Sequence, residues 1–159
     1  SMKSLSKTAA ASGLEMLLWE PMPLLREPPC RIADAERLLE EANRDSAIPV
    51  GLAIDTGHQC TWGVGGEDLD TYAWLQRLGR RSPVVHIQQT DGKGDRHWPF
   101  TKKYNDIGVI RPQKVIDAIE GSGAKEVYLM LEIIHPFETP EKQVLTELKE
   151  SAVYWSDFL

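Results

Sequence analysis

Four short apolar runs, each closed by a Glu, Asp or His, constrain this chain more than anything else in it. Leu14–Trp19 ends at Glu20 and Val50–Ile54 ends at Asp55. Pro83–Ile87 holds His86 near its end, and Val127–Leu131 ends at Glu132. The runs are rich in Val, Ile, Leu, Met and aromatics and lack alternation with polar residues. Strands buried on both faces of a parallel sheet read this way.

Helical stretches lie between the runs. Ile32 to Asn43 spaces Ile32, Ala35, Leu38, Leu39 and Ala42 along one face. Asp68 to Leu78 does the same with Leu69, Tyr72, Leu75 and Leu78. Pro112 sits at the start of a helix to Glu120, which Gly121-Ser122-Gly123 stops. Thr139-Pro140 opens a last helix to about Trp155 as a capping-type start, and Ser4 to Ser12 forms a first one. Alternation of this kind implies an α/β fold with parallel strands.

Spacing narrows the architecture. The closing residues stand about 35, 31 and 46 positions apart, and a (β/α)8 barrel uses roughly 31 residues per unit, or ~250 in all. The 159 residues therefore hold four units, too few for a complete barrel. A small doubly wound open sheet also fits the element count. Residues 1–159 read as one domain, with residues 1–3 as an added or flexible start.

Composition excludes some functions. A net charge of −6 and a pI near 5.2 argue against a duplex nucleic-acid binder. No apolar run approaches the ~18 residues of a membrane span, and the first ten residues lack a signal-peptide core. Cys30 and Cys60 do not make a disulfide scaffold, so a cytoplasmic location is expected. The five tryptophans are expected in the core or in pocket walls. Gly63-Val64-Gly65-Gly66 lacks the spacing of a dinucleotide fingerprint.

Glu20, Asp55, His86 and Glu132 each fall at a strand's C-terminal end, where active sites of parallel α/β folds assemble. Three carboxylates and an imidazole suit Mn2+, Mg2+, Co2+ or Zn2+. Each residue also has a plain reading: Asp55 as a helix cap, His86 as a core histidine. Glu132, flanked by Leu and Ile, is costly to bury without a cation partner. Agreement at matching places in four units favours a metal centre.

The stretches LEMLLWEPMP, GLAIDTGHQC, VVHIQQTDGKGDRHWPF and YLMLEIIHPFE carry a resemblance to a known family. They resemble the sugar isomerase/epimerase branch of the xylose isomerase-like TIM barrels, above all the ketose 3-epimerases of D-tagatose 3-epimerase type. The stretch VHIQQTDGKGDRHWPFT is most similar to the D-erythrulose 1-phosphate 3-epimerase type. The resemblance runs from about Thr8 to Trp155 and implies the C-terminal half of the barrel, strands five to eight, with the first four strands absent.

In that family the metal ligands are Glu, Asp, His and Glu in chain order, which fall here on Glu20, Asp55, His86 and Glu132. The resemblance implies Mn2+ as the metal, with Mg2+, Co2+ and Zn2+ as further candidates. It implies a ketose or ketose phosphate as substrate, epimerised through an enediolate, with Glu20 and Glu132 as the acid–base pair. By the same resemblance, His58 of Asp55-Thr56-Gly57-His58 and Arg96 hold the substrate. The loop from Thr90 to Thr101 is either a phosphate-binding element or a solvated loop, with His97 and Trp98 as wall residues. His135 and Glu138 read as loop residues. Two alternatives remain at this stage. The chain is an aldose–ketose isomerase of the same family, or a catalytically incompetent half-barrel that forms a homo-oligomer through its exposed strand edges.

Overall fold

The computed structural model describes residues 2–159; the reading of Ser1 lies outside the described residues. Met2 and Lys3 form the first turn of α1 (Met2–Ala11), which therefore opens two residues earlier than the sequence suggests. The order continues as β1 (Leu17–Trp19), α2 (Ile32–Arg44), β2 (Val50–Asp55), α3 (Thr71–Leu78), β3 (Val84–Ile87), α4 (Lys102–Asn105), α5 (Pro112–Gly121), β4 (Tyr128–Leu131) and α6 (Glu141–Ser156). The short helix α4 has no counterpart in the sequence reading. The last helix starts without a side-chain cap, because Pro140 and not Thr139 occupies its N-cap position.

All four strands are parallel and pair in the order β1-β2-β3-β4. A doubly wound sheet reverses its strand order at a switch point. This sheet does not, so it is an arc of a barrel.

The two faces of the arc differ. On the outer face Leu52, Ile54, Val85 and Ile87 pack against Leu39 of α2, Trp74, Leu75 and Leu78 of α3, and Val115 of α5. Successive side chains point to opposite faces, so Leu18, Ala53, His86 and Met130 fall on the inner face. Met16 and Leu18 meet over Gly51, which lacks a side chain there. The central β2 is buried throughout. The outermost strands are not, contrary to the expectation of burial on both faces. Leu18 is 42% exposed and Met130 51%, because nothing among the described residues covers the inner face at either edge. The tryptophans also divide: Trp74 and Trp155 are core, while Trp62 is 90% exposed.

Polar side chains lock the outer layer to the strands. Asn43 donates to the carbonyls of Leu39 and Val50 and accepts from the Val50 N–H, which ties α2 to β2. The Ser82 hydroxyl accepts from the Ile54 N–H and joins β2 to the start of β3. Asp68 accepts from the Ile32 N–H at 2.9 Å and caps α2 from across the fold.

Packing predicts an asymmetry between the faces. Leu52→Ala empties a fully buried site and should cost about 2–5 kcal/mol in urea unfolding. For the monomer, Leu18→Ala on the open face should cost under about 1 kcal/mol.

Candidate metal centre

Glu20, Asp55, His86 and Glu132 each offer a ligand atom, and these four atoms lie within 4.8 Å of one another. The register alone does not bring them level. Asp55 pairs with His86. Trp19 pairs with Leu52 and Ile87 with Leu131, which sets Glu20 below that row and Glu132 above it. The curvature and shear of the arc close the gap. His86 Nδ1 donates to Glu20 Oε1 at 3.1 Å and lies 3.0 Å from Glu132 Oε2. One nitrogen carries one hydrogen, so Glu132 Oε2 is left buried without a hydrogen-bond partner, as is Asp55 Oδ2. His86 Nε2 makes no hydrogen bond among the described residues.

Each residue of Asp55-Thr56-Gly57-His58 has a separate task. Asp55 Oδ1 accepts from the Gly57 N–H at 2.6 Å in a tight turn; no helix starts there, so Asp55 is not a helix cap. The Thr56 hydroxyl donates to the Gln88 carbonyl and accepts from the Gln88 N–H, prolonging the strand pairing past β3. A Cβ at Gly57 would collide with the Gln88 amide. His58 Nδ1 donates to the Pro21 carbonyl at 2.8 Å and stands 3.9 Å from Glu20 Oε1.

A second cluster adjoins the first, formed by His58, Asp95 and His97. Asp95 lies 3.5 Å from His58 Nε2 and 3.0 Å from His97 Nε2. His97 has φ +50° and its Nδ1 donates to the Glu132 carbonyl. Asp95 and Gln88 were not picked out by sequence reasoning. The available signal for Gln88 was its place two residues after His86, on the same sheet face.

Charge follows this geometry. Burial pushes the Asp55 carboxyl up to about 7; nearby His58 opposes this, and Glu132 adds to it. Burial draws the His58 imidazole down, but the bond to Asp95 and the charge of Asp55 outweigh it and hold His58 at about 9. Asp95 sits at about 2: burial raises it, and the bonds from His58 and Gln88 lower it by more.

Arg96 sits apart. Its guanidinium bonds to both oxygens of Asp91, at 3.1 and 3.2 Å, and lies 5.5 Å from the Trp98 ring centroid. It lines a groove of about 350 Å3 with Trp98, Tyr104 and His135. His135 pairs with Glu147 of α6 at 2.8 Å, which fits the loop reading. A groove of about 590 Å3 beside α4 and α6 contains none of the four ligand residues. The centre opens on the concave face of the arc instead.

Four strand ends converging on one oxygen-rich site match a family known by its fold. Residues 1–152 match the family described as xylose isomerase-like TIM barrel. The chain belongs to that family. Within it, the chain is 31% identical over 150 residues to D-erythrulose 1-phosphate 3-epimerase of Brucella abortus, covering 93% of this chain and 48% of that protein. A Rhodospirillum rubrum crystal structure, provisionally described as a xylose isomerase, superposes with a TM-score of 0.85 at 34% identity, over 98% of this chain and 51% of that one. The 3-keto-D-glucoside 4-epimerase of E. coli, at 17% identity and a TM-score of 0.59 over 96% of this chain and 51% of that one, shares the fold alone. The chain thus spans about half the length of the relatives it matches, and its arc is half of a TIM barrel. No helix among the described residues is long and apolar enough to cross a membrane.

The raised Asp55 carboxyl predicts how stability depends on pH. A free carboxyl titrates near 4. In the cation-free chain Asp55 stabilises the fold fully below that value and loses its contribution as pH rises through about 7. With EDTA present, the Asp55 contribution should lower the melting temperature between pH 5 and pH 8. Asp55→Asn should flatten that difference, and Mn2+ should restore stability at pH 8.

Proposed function

We propose that this chain carries the metal-holding, C-terminal half of a sugar epimerase or isomerase that transfers a proton at the carbon beside a ketose carbonyl. One observation carries the reading: four ligand atoms converge at the strand ends, and two buried carboxylate oxygens there have no hydrogen-bond partner. Glu20, Asp55, His86 and Glu132 would hold a divalent cation, Mn2+ first and Mg2+, Co2+ or Zn2+ as further candidates. Such a cation supplies Lewis acidity toward neighbouring substrate oxygens.

The chain's own residues do the rest. Glu20 and Glu132 approach the same His86 nitrogen, at 3.1 and 3.0 Å. One removes the proton from the carbon, and the other, starting protonated, delivers its own proton to the opposite face. Asp55 and His86 serve as ligands. Cationic His58 lowers the cost of negative charge developing on the substrate oxygen. Arg96 is exposed, and its surface pair with Asp91 is weak enough to exchange for a substrate oxygen or phosphate. The name of the Brucella relative supports a tetrulose phosphate as substrate. The free thiols Cys30 and Cys60 support a cytoplasmic location.

An assay with Mn2+ on a panel of tetrulose phosphates tests this reading. Glu20→Gln and Glu132→Gln should each lower turnover by about 10²–10⁴-fold. Variants that turn over at the wild-type rate would refute the assignment.

The exposed inner face supports an accompanying assembly. Leu18 and Met130 lie on it, at opposite edges of the sheet. Two copies pairing edge to edge would close eight strands and cover it. Light scattering should then give twice the chain mass, and Leu18→Lys should return the monomer. A monomer at high concentration removes this reading.

A further inference from the structure

Gln88 lies fully buried between the two clusters and belongs to neither. Its Nε2 donates to Asp55 Oδ1 at 2.8 Å and to Asp95 Oδ1 at 2.7 Å, which commits both amide hydrogens. Its Oε1 accepts from the backbone N–H groups of Arg96, at 3.1 Å, and His97. The amide is therefore saturated from both ends, as a buried polar group must be.

This arrangement has two results. Asp55 Oδ1 receives two donors, Gln88 and Gly57. Of its two oxygens, only Oδ2 is left without a hydrogen-bond partner and so free for a ligand. In addition, the turn that carries Asp95, Arg96 and His97 is held to the same amide that fixes Asp55. Its far side is anchored just past β4, through the His97 bond to the Glu132 carbonyl.

We infer that Gln88 is a positioning residue that fixes Asp55 as a one-oxygen ligand and couples the Asp95–His97 turn to the four-residue centre. The inference rests on the reading of that centre as a cation site. Hydrogen bonds to ligating carboxylates govern affinity in this way, at about 10–100-fold per partner lost. Gly57 belongs to the same device. Its backbone lies outside the left-handed region, so alanine is permitted there conformationally, but the added Cβ would push the Gln88 amide away.

Calorimetric titration with Mn2+ alone tests the coupling on the wild type, Gln88→Met, Asp95→Asn and the double variant. Gln88→Met should weaken Mn2+ binding by about 10–100-fold. Asp95→Asn should weaken it in the wild-type background and add nothing once Gln88 is gone. Gly57→Ala should reproduce the loss with every side-chain ligand present, and it serves where Gln88→Met fails to fold. Wild-type affinity in Gln88→Met or Gly57→Ala would overturn the inference, as would independent, multiplying effects of the two substitutions. A wild-type chain that takes up no Mn2+ would instead refute the cation site itself.

Discussion

Three carboxylates crowd around one imidazole nitrogen at the C-terminal edge of this sheet, with all four ligand atoms inside 4.8 Å. Like charges that close, partly buried and short of donors, repel strongly. Burial, with Glu132 adding to it, raises the Asp55 carboxyl to about 7 in the cation-free chain. Asp55 Oδ2 and Glu132 Oε2 stay without a hydrogen-bond partner. Packing alone gives no reason to gather these groups. A divalent cation held there would offset the charge, satisfy the orphaned oxygens and take the place of the proton.

The sheet can carry this load because its two faces are specialised. The outer face holds the apolar core, with Leu52, Ile54, Val85 and Ile87 sealed under α2, α3 and α5. That packing fixes the strands, and rigid strands fix their terminal side chains. The inner face is left for chemistry. The same division exposes Leu18 and Met130, which a closed barrel keeps from water. The clustered strand-end side chains and an uncovered apolar surface are thus two consequences of one half-barrel.

Around the candidate metal centre, polar residues act as a frame. Thr56 clasps the backbone of Gln88, Gln88 binds Asp55 and Asp95, and His97 reaches the Glu132 carbonyl. Each bond joins residues more than two positions apart in the chain, most of them on different strand ends. No periodicity in a single segment encodes such cross-links. This is why Gln88 and Asp95 escaped the sequence reading, while Glu20, Asp55, His86 and Glu132 did not. Arg96 shows the converse. Its motif position is legible in the sequence, while its pairing with Asp91 shows only in the folded loop.

The sequence by itself determined the four strands, their parallel direction and the residue that ends each one. Burial writes apolar runs into the chain, and helices between them impose right-handed parallel crossovers. Tertiary structure alone decided the strand order, which separated a barrel arc from a doubly wound sheet. It also decided which strand faces stay open, and how the shear of the arc draws Glu20 and Glu132 onto the row of Asp55 and His86. Those outcomes depend on distances between segments 31 to 46 residues apart, and only the packed sheet sets them.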